Sequence, residues 1–509
     1  MISARPRGLI GELSQARESL FQAHLSGASG AVVVQRCTDW VEGVIKRLFN
    51  EALARYPAYR PVGLVAVGGF GRGELNLHSD VDLLFLYPAD LEPDLEPLAQ
   101  QVLYPLWDLN LDVGHAARTV DECLELAAED FSVLVSMLTA RTVTGSPDLA
   151  SKLAQELMAA LSSARARREF LAKVEAAERQ RRERFGHTPY LLEPHLKEGE
   201  GGLRDIHTIT WLGLGCFEAK NLRFLLEKGL MTDEEVTFIS SARDFLWRVR
   251  NHLHYLAKGR DDRLTFERQQ KVAAFLGFKE EGGISRVERF MRDYYTRTFN
   301  LRNIRDIVLE RVGTRLSKGS KGKAVKVLEK NFLAADNKLG LADPGRIQDN
   351  PALMMRLFAV SARSGIEVSH QARQEVRLNR NLVDDDFRRD PAIRQDFLTA
   401  LMPPRPEAGA FVALHGSGLL NAYLPELEGV FQLPQHDAYH IYTVDAHLLR
   451  TVDRLARLKE GQGSSEGERL ARDLLSHVTR PRLLYLAALL HDLGKTRGKG
   501  HSERGARLA

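Results

Sequence analysis

VAVGGFGRGELNLHSDVDLLFLY, residues 65–87, begins inside a β-rich run (Val62 to Val67), turns on Gly68-Gly69 and enters a second apolar run, Val81 to Tyr87, broken only by Asp82. Short apolar runs bounded by glycine are the pattern of buried strands. Two glycines let backbone amides approach a polyphosphate, because no Cβ stands in the way. Residues two apart on a strand share a face, so Asp80 and Asp82 point together and can hold divalent metal ions against those phosphates. Such ions polarise the phosphorus under attack, activate the incoming hydroxyl and neutralise a departing pyrophosphate. The stretch predicts a metal-dependent nucleotidyl-transfer site.

Other glycine-loop readings fail on context. A dinucleotide-binding turn opens a helix and carries one acidic residue about 20 positions later, whereas here a strand with two acids arrives sooner. A phosphate-binding P-loop ending at Gly322-Lys323 would need glycine where Ser317 stands. A plain hairpin-like turn with two exposed aspartates does not explain apolar flanks on both strands.

Outward from this unit, apolar residues at helical spacing (Leu9, Leu13, Leu20, then Trp40, Val44, Leu48) predict helices over residues 1–58. After 88–97 a helical pattern reaches Trp107, and Leu111 to Val120 reads as a third strand. From about 120 to 312 the pattern is helical, including AAERQRRERFG (176–186), with one interruption at the loop LEPHLKEGEGGLRD (192–205). SKGSKGKA (317–324) reads as an exposed connector, helices resume to about 400, MPPRPEAG (402–409) breaks them, and a last helical module starts near 436.

The chain has 509 residues with 44% apolar content, enough for several cores. Its net charge of only +4 supplies no basic field for long nucleic acid. Cys37, Cys123 and Cys216 lie far apart without CxxC spacing, against a disulfide framework or zinc ribbon. With no signal-peptide h-region and no apolar run of membrane-spanning length, the expectation is a cytoplasmic protein with no membrane association.

A second constellation lies in the last module: His447 in YTVDAH, then His491-Asp492 after the apolar helix LLYLAALL, followed by Lys495 and His501. Adjacent His-Asp lets two ligands from one turn reach one metal, with a histidine from an earlier helix completing the face. The plainer alternative is a histidine at a helix C-terminus beside a solvated aspartate.

Gly-Gly-Phe-Gly-Arg-Gly-Glu-Leu followed by Ser-Asp-Val-Asp-Leu-Leu resembles the signature of the DNA polymerase β nucleotidyltransferase superfamily. That resemblance implies triphosphate contacts at Gly68, Gly69 and Ser79, metal at Asp80 and Asp82, and a third carboxylate at Asp112, with Asp108 as the alternative. The His447, His491, Asp492 order resembles the HD phosphohydrolases, whose last ligand, a distant aspartate, has no counterpart in the 17 residues after Asp492. The HD module is therefore expected to be incomplete, with apolar faces exposed and low stability at that end.

The sequences LEPHLKEGEGGLRDIHTITWL (192–212), RNHLHYLAKGRDDRLTFERQQKVA (250–273) and YHIYTVDAHLL (439–449) resemble the bifunctional uridylyltransferase/uridylyl-removing enzymes that modify the PII nitrogen-signalling protein. The likeness implies a multidomain α+β chain: N-terminal helices (1–58), a small polymerase β-like α/β nucleotidyltransferase domain (59–145), a helical uridylyltransferase-associated domain (146–315), a helical connector region (316–424) and a partial all-α HD domain (425–509). It implies UTP and PII as partners, transfer of UMP to a PII tyrosine, hydrolytic removal of UMP by the HD module, and Mg²⁺, with Mn²⁺ as the alternative at the HD site. The family's two glutamine-sensing ACT domains are absent from this sequence.

Arg72, Lys197 and Arg204 are candidate triphosphate or partner contacts, with surface solvation as the alternative, and Lys495 and His501 are candidate substrate contacts. His252, His254 and Asp262 read as structural rather than metal-binding. A tRNA nucleotidyltransferase or poly(A) polymerase shares the glycine turn but needs a basic RNA surface. A non-catalytic nucleotide-binding regulator is the remaining rival, and the intact Gly-Gly and Asp-x-Asp weigh against it.

Overall fold

The computed structural model describes residues 7–91, 95–317, 326–433, 442–462, 465–496 and 501–508, without the side chains of 7–10, 12–14, 496, 501 and 502. The chain divides into two compact units, the first comprising Met1–Pro189, Glu193–Phe290 and Arg297–Leu316, the second Tyr190–Leu192, Met291–Thr296 and Ser317–Ala509. Of the connector expected at 317–324, all but Ser317 lies outside the described residues. Among the described residues no helix is long and apolar enough to cross a membrane.

The first unit opens with α1 (Arg7–Leu25) and α2 (Gly30–Arg55). Ser29 caps α2 by accepting from the Val32 amide, and Val33, Cys37, Val41, Val44, Leu48 and Ala52 turn one buried face inward. Then follow β1 (Gly63–Ala66), the single turn α3 (Gly68–Gly71), β2 (Val81–Leu86), α4 (Glu96–Asp108), β3 (Val113–Arg118), α5 (Val120–Glu129), α6 (Phe131–Met137) and β4 (Arg141–Gly145). The sheet order is β3-β2-β1-β4, with β2 and β3 parallel and β1 antiparallel to both its neighbours. Val81, Leu83 and Phe85 of β2 share one core with the buried face of α2, so the helices of 1–58 and the sheet of 59–145 are one packed body. Strand β4 lies where helix was expected. Its RTVTG sequence is five residues long with only Val143 buried, too short and polar to stand out between two helices.

Helices α7 (Asp148–Ala160), α8 (Ala164–Phe185), α9 (Leu203–Phe217), α10 (Leu222–Glu227), α11 (Asp233–Ala257), α12 (Phe266–Phe275) and α13 (Arg286–Ser317) follow. A reciprocal Thr232–Glu235 capping box starts α11. The loop before α9 is pinned from beneath by charge. Arg305 of α13 has 0% side-chain exposure and bonds Glu178 of α8 (2.9 Å), Asp205 of α9 (3.0 Å) and its neighbour Asp306 (2.6 Å), with Glu200 of the loop at 3.5 Å. Arg181 bonds Asp205 and Glu178 and donates to the carbonyls of Glu198 and Gly199. Gly201 is required here, since its φ is +75° and a Cβ would lie 2.0 Å from the Thr298 carbonyl oxygen.

The second unit contains β5 (Lys326–Glu329), β6 (Phe332–Ala335), β7 (Lys338–Leu341), α14 (Arg346–Asp349), α15 (Leu353–Ser364), β8 (Glu367–Val368), α16 (His370–Leu378), α17 (Asp385–Arg389), α18 (Pro391–Leu401), α19 (Ala410–Gly416) and α20 (Leu419–Tyr423). After a gap in the described residues come α21 (Val444–Lys459), α22 (Glu466–Ser476), α23 (Pro481–Leu490) and α24 (His501–Leu508). The expectation of a purely helical 316–424 is corrected by the small sheet β5-β6-β7-β8. Ala335 pairs with Lys338, and the two residues between, Asp336 and Asn337, both have positive φ (52° and 58°), a two-residue hairpin turn of the type these residues favour.

Replacing Arg305 by Met leaves buried carboxylates without their cation, and should cost about 3–5 kcal/mol in denaturant unfolding of the first unit. A loss under about 1 kcal/mol would show the network is not structural. A second expectation concerns pH. His24 and His252 approach at 3.4 Å where α1 meets α11, and burial pushes both, with His78, down to about 4. Unfolded histidine titrates near ~6.5, so their contribution is complete above that pH and is lost as pH falls toward about 4. The melting temperature should drop between pH 7 and pH 5, and drop less in a His24→Gln, His252→Gln variant; identical slopes would rule the histidines out.

Candidate functional site

The β1–α3 turn and the start of β2 form one wall of a cavity of about 530 Å³ in the first unit. Gly68 takes a φ of +59°, and a Cβ there would meet Asp82 Oδ2 at 3.1 Å and Ser136 Oγ at 3.4 Å, so only glycine brings the turn this close to the carboxylate. Gly68, Gly69, Arg72, Ser79, Asp80, Asp82, Lys197 and Arg204, all singled out from sequence, line this cavity together. Ser79 Oγ accepts from the Asn76 amide (3.1 Å) and sits 3.5 Å from Arg250, which leaves its own proton to donate.

Asp112 immediately precedes β3. Continuing the register in which Asp82 pairs with Gly114 sets Asp112 beside Asp80. Burial, then the charge of Asp80, raises the Asp82 pKa above its ordinary value; Asp112 adds to the rise while Lys197 and Arg260 oppose it. Asp108, the alternative third carboxylate, lies exposed in the last turn of α4, away from the cavity lining.

Most cations around the cavity already have partners. Arg72 bonds Glu74 at 2.8 Å, and Glu74 also meets His207 at 3.0 Å. Burial and the Arg72 charge push His207 down to about 3, so it is neutral there. Arg204 grips Glu198 with two bonds, 2.7 and 3.1 Å, and lies over Trp211 at 5.3 Å; burial would raise Glu198, but these bonds hold it down at about 2. Arg250 bonds Asp262 (2.7 Å) and Asn76 (2.7 Å), and His254 completes the set on Asp262 at 3.1 Å. His252 stacks on Phe275 at 4.0 Å. Lys197 is different: among the described contacts its ammonium has no acidic partner, and burial, then Arg250 and Arg204, lowers its pKa.

Sequence reasoning missed Glu74, Glu198, His207, Arg250 and Arg260. Arg260 reaches back from the KGRDD turn after α11 to bond Asp80. Charged residues in a loop give no period, and only the fold shows that they converge.

In the second unit His447 of α21 and His491 and Asp492 after α23 bring ligand atoms within 4.8 Å of one another. His491 Nδ1 donates to the Ala488 carbonyl at 3.0 Å, closing the helix end, and its Nε2 lies 3.5 Å from Asp492, which is buried rather than solvated as the plainer alternative expected. Lys495 bonds Asp492 at 2.8 Å. The side chain of His501 lies outside the described residues. A buried pair missed in the sequence, His415 and Asp445 (3.3 Å), stands two residues before His447.

A glycine turn against paired carboxylates, with a separate His/His-Asp cluster, is the arrangement of a nucleotidyltransferase domain and an HD domain. Four family models match in order: nucleotidyltransferase domain (45–114), GlnD PII-uridylyltransferase (168–309), uridylyltransferase GlnD third domain (332–423) and HD domain (444–509). Two of the four are models of GlnD uridylyltransferase domains, which this chain resembles over 168–309 and 332–423. It is 35% identical over 453 residues to a bifunctional uridylyltransferase/uridylyl-removing enzyme of Ruegeria pomeroyi, covering 88% of this chain and 50% of that protein. A protein of the same description from Azotobacter vinelandii is 36% identical over 449 residues, 87% of this chain and 49% of the relative. The chain thus spans about half the length of the curated relatives it matches.

Both clusters have donor sets suited to divalent ions, oxygen at the first and mixed nitrogen and oxygen at the second. Titration with Mn²⁺ should reveal two sites, one removed by His491→Ala and the other by Asp80→Ala with Asp82→Ala. A His491→Ala chain that still binds two ions would exclude the second cluster.

Proposed function

We propose that the chain is a uridylyltransferase that moves UMP from UTP to a tyrosine hydroxyl of PII, and that its HD module serves the hydrolytic removal of that UMP in the cytoplasm. The observation carrying this reading is the cavity itself, which Gly68, Gly69, Asp80, Asp82 and Lys197 line together, with Asp112 beside Asp80 in the strand register.

The Gly68 and Gly69 amides, at the unbonded start of a helical turn, and the Ser79 hydroxyl are placed to donate to phosphate oxygens. Lys197 answers the charge of the triphosphate, and Arg72 and Arg204, held by Glu74 and Glu198, present oriented guanidinium groups at the same wall. Asp80, Asp82 and Asp112 would hold Mg²⁺, which supplies charge neutralisation of the phosphates and activation of the acceptor hydroxyl when bound. The acceptor hydroxyl gives its proton to a neighbouring carboxylate or water, its oxygen bonds to the α-phosphorus as the bond to the bridging oxygen breaks, and the electron pair leaves with pyrophosphate. Side chains do no covalent work; they orient the triphosphate and stabilise charge. In the HD module His447, His491 and Asp492 would hold Mg²⁺ or Mn²⁺, which supplies Lewis-acid activation for hydrolysis, while Lys495 stands ready to offset phosphate charge.

Incubation with PII, labelled UTP and Mg²⁺ should label PII, and Asp80→Ala with Asp82→Ala should cut the rate at least about a hundredfold. A folded wild-type chain that binds UTP but labels no PII would overturn the substrate assignment, and label transferred to RNA instead would favour the polymerase-like reading.

A further inference from the structure

Among the described residues, the paired arginines around the transfer cavity are bound to carboxylates with no metal-binding role, with one exception. Arg72 is held by Glu74, Arg204 by Glu198, Arg250 by Asp262 and Arg181 by Glu178 and Asp205. The exception is Arg260, whose guanidinium bonds Asp80 Oδ2. We propose that Arg260 is a catalytic residue of nucleotidyl transfer, a tethered cation with two seats: the Asp80 carboxylate, and the phosphate oxygens of a nucleoside triphosphate bound beside it.

Three observations support this. The base of the residue is fixed while its tip is half-exposed and bonded to Asp80. Asp262 is bound to Arg250 and His254, Asp261 accepts from the Arg263 amide and pairs with Arg268 at 2.7 Å, and the Lys258 and Gly259 amides close the end of α11 on the carbonyls of Tyr255 and His254. The Arg260 side chain itself is 52% exposed, so it can change partner without moving the turn.

Its electrostatic surroundings are the transfer carboxylates. The bond to Asp80 raises the Arg260 pKa, and Asp112 and Asp262 add to it; in return Arg260 opposes the rise at Asp82. One guanidinium thus bonds Asp80 and acts on Asp82 and Asp112 only through space.

Charge then favours an exchange. The Asp80 oxygen that accepts from Arg260 cannot also coordinate a cation along the same lone pair, and a guanidinium beside a divalent ion is repelled by it. The nearest strong acceptors for a displaced guanidinium are the oxygens of the triphosphate, which match its planar fork. There Arg260 neutralises charge gathering on the pyrophosphate as its bond to the α-phosphorus breaks; it transfers no proton.

The inference rests on the transferase reading but not on uridine or PII, and its test uses neither. In a His491→Ala background, which leaves one class of site, Mn²⁺ is titrated by electron paramagnetic resonance into chains with Arg260 or with Arg260→Ala. Removing the competing cation should tighten Mn²⁺ about two- to fivefold, the scale of a half-exposed ion pair. Inorganic tripolyphosphate with saturating Mn²⁺ should instead bind the alanine variant about tenfold more weakly. Arg260→Lys should keep the competition with Mn²⁺ and recover only part of the tripolyphosphate affinity, and it serves as the test pair if the alanine chain unfolds. Unchanged Mn²⁺ affinity on losing the charge would remove the first seat, unchanged tripolyphosphate affinity the second, and either overturns the proposal. Failure to label PII, with both shifts present, would overturn only the choice of substrate.

Discussion

A guanidinium sealed from water is the constraint on which the first unit turns. Arg305 lies among Glu178, Glu200, Asp205 and Asp306, and the surrounding Arg181, Arg182 and Arg302 bring the cluster to four cations against four carboxylates. Burying one such charge unpaired costs several kcal/mol, so the members are obliged to stay together. They come from α8, the 192–205 loop, α9 and α13, segments far apart in sequence. Burial would lower the Arg305 pKa, but its four carboxylates outweigh it and keep the group charged.

The consequence reaches the cavity through the loop. Arg181 holds the Glu198 and Gly199 carbonyls, and Gly201 lets the backbone pass against Thr298. Lys197 and Arg204, on either side, are thereby presented to the carboxylates of β2 without being part of the buried network. Arg250 does the same work from α11, joining Asn76 of the strand-connecting loop to Asp262. The reactive groups are half-exposed and the groups that place them are buried, a division expected of a site that must be both accessible and preorganised.

This division also explains what could be read in advance. The glycine turn and Asp80/Asp82 follow from strand periodicity, since two residues on one strand need no knowledge of the rest of the fold. The His447/His491-Asp492 cluster needed only helical spacing and one distant histidine. The sheet of 326–368 was hidden because its strands are two to four residues long, and β4 because its sequence is polar; the Asp336-Asn337 turn was the available signal. Arg250, Glu198 and Arg260 were illegible for a different reason: each acts across 80 residues or more, or through a loop, and a charged residue in a loop looks the same whether it is solvated or bound.

Burial, then the charges of Asp80 and Asp112, pushes the Asp82 pKa above its ordinary value. Partial compensation comes from Lys197, which has no acidic partner among the described residues, and from Arg260, which is only tethered. Had the protein balanced these acids with a bidentate arginine, as it does at Glu198, a divalent ion would have to break a strong pair to enter. Leaving the acids in mutual repulsion, offset by cations that can turn to phosphate, means that metal and triphosphate each relieve a strain the other does not. Binding of the two should therefore be cooperative by electrostatics alone, with no conformational change required.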